Sequence, residues 1–304
     1  MRRAALALAL ALAGCGAPPS SSTSNGAAPS ASSASGRGPT AAKEVRIVTV
    51  GGTVTEIVFA LGAGSSVVAT DTSSVFPAEA RKLPQVGYQR TLAAEGIAAQ
   101  RPTMILVSTE AGPPAAIEQL RSLGIALDVS PGGSTLEAAQ ARIEHVAAKL
   151  DESDKAKELV ATLTAQMAEA DALVKKATSR PKVLFVYARG AGTLMVSGTD
   201  TPADAMIKLA GAENAVTAFT SFKPLTAESV TAAAPDVILV TSRGVESAGG
   251  VGAILAAPGM AETPAGKAKK VVALDDQLLL GFGPRLGLGV KELAEKLHPE
   301  LASP

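Results

Sequence analysis

The chain has no tryptophan, two tyrosines, two histidines and one cysteine in 304 residues. A single cysteine excludes an intramolecular disulfide and any cysteine-only metal cage. The histidines, His145 and His298, stand far apart with no partner at metal-ligand spacing, so neither is expected to hold a metal. His145 lies mid-helix among Arg142, Glu144 and Lys149 and reads as part of a solvated face, while His298 lies near a frayed end. An excess of either charge is also missing. Lys and Arg total 28 and Asp and Glu total 28, so no global positive field exists to hold a polyanion, and nucleic acid is excluded as a main partner. No nucleophile stands beside a base, and no Gly-x-Gly-x-x-Gly follows the first strand, so neither an enzyme nor a nucleotide binder is expected. What is abundant is apolar: 47% hydrophobic against 18% charged residues supports a sizeable core and excludes wholesale disorder.

The amino-terminal stretch reads as a processing signal. Arg2 and Arg3 precede an apolar run, Ala4 to Ala13, that is too short to span a bilayer. It ends in Leu12-Ala13-Gly14-Cys15, which resembles the lipobox of bacterial lipoproteins. The resemblance implies a signal peptide over 1–14, cleavage before Cys15, and lipid attachment at that cysteine. The alternative is an ordinary secretory signal with a chance cysteine. Several acyl chains give stable membrane attachment. Residues 15–42, rich in Ser, Ala, Gly and Pro, should form a flexible tether.

From Val45 onward, β-branched runs alternate with amphipathic stretches. Val45–Val50, Val67–Thr70, Met104–Ser108 and Ile125–Val129 read as strands. Helices begin near Thr53, Leu92 and Pro113, and the alternation implies parallel α/β units. Residues 134–180 contain neither Gly nor Pro and carry apolar residues at helical steps; 154–177 alone would extend about 36 Å as a helix. Alternation then resumes with strands at Val183–Tyr187, Val237–Thr241 and Val271–Leu274 and a final helix from Leu286 to Leu297. An internal repeat supports two related halves. Glu95 precedes Pro102 by seven positions and Val107 by twelve; Glu228 precedes Pro235 and Val240 by the same steps, at an offset of 133. The expected architecture is α/β, with two Rossmann-like lobes (43–133 and 181–304) joined by a linking helical segment (134–180) built on one long backbone helix. A ligand would lie in the cleft between the lobes.

Three segments carry a family resemblance: Gly51-Gly52-Thr53-Val54-Thr55-Glu56, then Val86-Gly87-Tyr88-Gln89-Arg90-Thr91-Leu92 running on to Ile97, and Gly281-Phe282-Gly283-Pro284-Arg285. Together they resemble the haem-binding substrate-binding proteins of bacterial ABC importers, over about Val45 to Leu297. The resemblance implies a monomer outside the cytoplasm, in the periplasm and lipid-anchored. It would bind haem as transported cargo and deliver it to a permease homodimer with its ATPase. It implies Tyr88 as axial ligand to the haem iron, with Arg90 supporting the phenolate or a propionate. Ferric iron is a hard Lewis acid suited to a phenolate, and tyrosine is an established haem ligand. A free tyrosine titrates near 10, so iron and its neighbours must favour deprotonation. Without the resemblance, Tyr88 would read as a half-buried loop tyrosine with a bonded hydroxyl.

Arg243, Arg285 and Arg189 each follow a strand or open a helix where α/β ligands bind; each could pair a propionate or be a surface arginine, and Arg243 ranks first. Tyr187, at the end of its strand, reads as core or strand edge. The second half offers no histidine in its α/β part for a second axial position. Glu95 and Glu228 are implied to dock on arginines of the two permease subunits, although acidic residues also suit a first helical turn for its dipole alone. The alternative cargo is a ferric siderophore or cobalamin.

Overall fold

The computed structural model describes residues 45–188 and 194–301. The leader, Cys15 with its tether, and Arg189 lie outside them. In the first half, strands β1 (Ile47–Val50), β2 (Val67–Thr70), β3 (Met104–Val107) and β4 (Ala126–Val129) are interleaved with helices α1 (Gly52–Ala60), α2 (Ala94–Ala98) and α3 (Pro114–Ser122). The four strands form one parallel sheet in the order β2-β1-β3-β4. Helices α4 (Leu136–Leu150) and α5 (Ser153–Val174) follow. The second half comprises β5 (Lys182–Ala188), β6 (Leu194–Ser197), α6 (Pro202–Leu209), β7 (Glu213–Asn214), β8 (Phe222–Pro224), α7 (Ala227–Ala233), β9 (Val237–Thr241), α8 (Ser242–Ala248), α9 (Val251–Leu255), α10 (Pro264–Lys267), β10 (Val271–Leu274), α11 (Asp276–Leu280) and α12 (Leu286–Leu297). Its sheet runs β10-β9-β5-β6-β8, with β7 beside the start of β5.

The central strands are continuous apolar runs because both faces are covered. Every residue of β1 and β9 is buried, whereas β4, at an edge, is only partly so. Alternate residues feed different cores. Ile47 and Leu106 from the first sheet, with Val183, Phe185, Val237 and Leu239 from the second, join α4, α5 and α12 in one continuous core. Val48, Val50, Ile105 and Val107 instead pack on α2 and α3, and Leu184, Val186, Ile238 and Val240 on the outer helices of the second half. The linking helices thus fuse the inner faces of both sheets.

The repeat is structural. In each half the glutamate sits in the first turn of a short helix, α2 or α7, leading into a strand hydrogen-bonded in parallel to the first strand of its own sheet; Met104 pairs with Ile47 and Val237 with Val183. Two features differ from the sequence reading. The second sheet is mixed, since β6 and β8 run antiparallel. The linking segment is also two helices, broken where Asp151 adopts the left-handed conformation (φ 57°) and caps α4. Of the two, α5 is the long one, about 33 Å at 1.5 Å per residue.

Candidate functional site

A cleft of about 780 Å³ opens at the carboxyl ends of both sheets, in the upper part of the usual range for small-molecule sites, about 300–1,000 Å³. The first half contributes the β1–α1 turn at Gly51 and Gly52, the loop bearing Tyr88 and Arg90, and Ser108 to Glu110 beyond β3. The second contributes Tyr187 and Ala188 at the end of β5, Thr241 at the end of β9 with Arg243 beyond it, and Asp276 and Gln277 after β10. Strand ends at a sheet's carboxyl edge are where open α/β folds bind ligands.

Tyr88 sits on a loop held from both sides. On one side the loop continues the β2 edge: Thr70 N–H donates to Pro84 O, Val86 N–H to Thr70 O and Thr72 N–H to Gly87 O, each at 2.9 Å. On the other, Gly112 N–H donates to Gln89 O and Leu92 N–H to Gly112 O, both at 2.8 Å. The Gln89 side chain meets the Ser108 hydroxyl at 3.1 Å. Gly87 turns the chain with φ of 99°, a conformation that side chains other than glycine's rarely allow. Tyr88 is therefore half-buried on a fixed frame, with the exposed Arg90 two residues on.

The opposite wall is more apolar. Tyr187 lines the cleft, its ring 5.8 Å from that of Phe222, beside Met195 and Leu280. Tyr187, read from sequence as core or strand edge, packs against the core and also lines the cleft. Arg243 is exposed on this wall; its backbone N–H donates to Asp276 at 3.1 Å and its guanidinium reaches Thr72 O, in the first half, at 3.4 Å. Burial is the main influence on Asp276 and raises its carboxyl above the ordinary value, against the lowering pull of the Arg243 N–H and Thr241.

Beneath the cleft, polar contacts tie the halves together. Thr53 donates to Gly281 O at 2.9 Å, and the Gln277 amide donates to Gly52 O at 2.8 Å and to Glu56 at 2.9 Å. Arg285 grips Glu56 with two bonds of 2.8 and 3.0 Å, its guanidinium 3.5 Å over the Phe76 ring. Burial raises the Glu56 carboxyl, with Arg285 opposing. Arg285 is thus committed to Glu56 and, unlike Tyr88, Arg90 and Arg243, is not among the residues lining the cleft. Arg142 on α4, grouped by sequence with a solvated face, is only 7% exposed and does line it. No sequence signal distinguished it from neighbouring helical charges.

The remaining candidates lie elsewhere. Glu95 and Glu228 are exposed in the first turns of α2 and α7. His145 contacts Asp128, which also binds Lys149 at 2.7 Å. Burial tends to raise the Asp128 carboxyl, but Lys149 and His145 together hold it below its ordinary value. His298 is fully buried rather than frayed, its Nε2 donating to Ala210 O at 3.0 Å. No helix of the described residues is long and apolar enough to cross a membrane, and no group of three or more potential metal ligands occurs among them.

Solved proteins share this fold. The periplasmic heme-binding protein RhuT from Roseiflexus sp. RS-1, in its apo form, is 42% identical with a TM-score of 0.81, over 85% of this chain and 100% of its own. The periplasmic heme-binding protein BhuT, in complex with two hemes, is 42% identical with a TM-score of 0.79, over 84% of this chain and 99% of its own. The ABC transporter substrate-binding lipoprotein YvrC of Bacillus subtilis (strain 168) is 28% identical over 98% of this chain and 96% of its own length. Residues 47–278, from the first strand to the helix beyond the last, match the family described as periplasmic binding protein, and the chain belongs to that family.

Proposed function

We propose that this protein captures haem outside the cytoplasm and hands it to an ABC importer, acting by binding alone and as a monomer. Tyr88 is the proposed axial ligand to the haem iron, with Arg90 and Arg243 meeting propionates from opposite walls. The lobes would be residues 43–133 and 181–304, joined through 134–180, with Cys15 carrying the lipid anchor and 15–42 the tether. The observation that carries the reading is the Tyr88 loop, hydrogen-bonded on both sides so that a potential iron ligand faces a cleft walled by Tyr187, Phe222 and Met195. A flat amphiphile with an apolar face, two carboxylates and a hard metal suits such a cleft. The similarity to the heme-binding proteins RhuT and BhuT supports the same cargo.

Arg285, a candidate propionate contact from sequence, is better assigned to Glu56, because its bidentate pair would have to break first. Titrating purified protein with hemin and recording the visible spectrum tests the proposal. Stoichiometric binding with a ferric high-spin tyrosinate spectrum is expected. No uptake of hemin, with binding of cobalamin or a ferric siderophore instead, would refute it.

A further inference from the structure

We infer that Arg142 is a specificity-determining residue of the cleft: a buried guanidinium without a carboxylate partner, which selects cargo that brings carboxylates of its own. The inference rests on the haem reading and extends it to a residue outside the segments that suggested haem.

Arg142 projects from α4, where the linking segment meets the cleft, and four of its hydrogen bonds span both halves. Nε donates to Pro131 O at 2.8 Å and Nη2 to Gly133 O at 3.0 Å; Nη1 donates to Phe282 O at 2.6 Å and Gly281 O at 3.1 Å. Four of the five guanidinium N–H donors are thus committed, and every acceptor is a neutral carbonyl. Arg285 shows the alternative this fold had available, since it is paired bidentately with the buried Glu56. No carboxylate of the described residues lies within ion-pair distance of Arg142.

An arginine does not escape such a site by losing its proton. Burial is the chief influence on its titration, and the carboxylate acting on it is Glu110, exposed at the cleft rim. Carbonyl dipoles offset part of the cost of burying the charge and leave its sign unchanged. Coulomb interactions strengthen where water is excluded, so the remaining positive potential acts most strongly on a ligand filling the cleft. A dianionic porphyrin gains from that potential; an uncharged ligand of the same shape does not. The four carbonyl bonds hold the charge in place without neutralising it.

The test compares hemin with hemin dimethyl ester, which keeps the iron and ring but lacks the propionate charges. Arg142→Gln should weaken hemin binding about tenfold, the effect of one nearby charge at intermediate dielectric, and leave the ester within about twofold. Arg142→Lys, which keeps the charge, should retain most of the hemin affinity. Parallel weakening of both ligands by Arg142→Gln would assign the residue a purely structural role and overturn the inference.

A second measurement spares Arg142 altogether. In Arg90→Gln/Arg243→Gln, hemin should still be preferred over its ester by several-fold, and an absent preference would overturn the inference too. Failure of the wild type to bind hemin would remove the underlying reading and this inference with it. Hemin binding with equal losses on both ligands would remove this inference alone.

Discussion

Glu56 and Arg285 carry opposite charges out of water at a point where the two halves meet, and Gln277 adds a third polar group. Removing one partner of such a pair strands the other, typically at about 3–5 kcal/mol. Arg285→Met should therefore lower stability by about that much in denaturant unfolding. Glu56→Gln tests the same pair through pH. Burial raises the Glu56 carboxyl above its ordinary 4.5, so the folded protein binds this proton more tightly than the unfolded chain. Its contribution to stability is then greatest below pH 4.5 and falls as pH rises through the folded value. Wild type should lose stability relative to Glu56→Gln over that interval; a widening wild-type advantage would contradict it. For the cargo, Tyr88→Ala should leave weak hemin association through apolar burial and propionate pairing, but abolish the tyrosinate spectrum. An unchanged spectrum would move the iron to another ligand, with Tyr187 on the facing wall tested next. Tyr88 was legible because a short motif surrounds it. Arg142 was not, because nothing along a helix distinguishes a charge turned inward from one turned to solvent, and Glu56, although it closes a family segment, gave no sign of its pairing with Arg285.

Helices α5 and α12 meet without room for a side chain at Gly287, where a Cβ would lie 2.6 Å from the Gln166 carbonyl carbon and 2.8 Å from Met167 N. The obstacle is backbone, which does not move aside as a flexible side chain would. Gly287→Val should cost about 1–3 kcal/mol in thermal or denaturant unfolding, while the hemin spectrum stays that of wild type because the contact lies away from the cleft-lining residues. A second glycine acts on the cargo instead. Gly87 has open space around it but a positive φ, so Gly87→Ala strains the turn that presents Tyr88, and hemin binding should weaken more than stability. The central strands β1, β3, β5 and β9 were readable as unbroken apolar runs, and the repeat pointed to two related halves. The antiparallel β6 and β8 were not, since β6 is buried over its last two residues only and β8 over none, too short a run to read as a strand. Nor was the break between α4 and α5, because Asp151 turns left-handed without the glycine that usually marks such a cap.

At the scale of the molecule, one core runs through both sheets and the linking helices, and the polar ties from Thr53, Gln277 and Arg142 cross between the halves at 2.6–3.1 Å. Large hinge closure would break those ties, so cargo is expected to be taken with little relative movement of the halves. Transfer to a transporter then calls for a surface the transporter can grip on each half. We propose Glu95 and Glu228 for that surface. Each is exposed in the first turn of a helix leading into a corresponding strand, and two anions at repeated positions suit a receptor with two-fold symmetry. Helix-dipole stabilisation alone would also favour acids there. The two explanations separate experimentally, because a dipole contribution affects folding, whereas docking affects the transporter. The Glu95 carboxyl is held below its ordinary value by its own backbone N–H and by Gln119, so it is charged at neutral pH. Glu95→Ala/Glu228→Ala should leave hemin affinity and spectrum unchanged and abolish stimulation of the cognate importer's ATPase in liposomes. Each single variant should retain part of the stimulation, because one half can still engage its subunit. Full stimulation by the double variant would leave the glutamates as helix-start residues and place the transporter contact elsewhere.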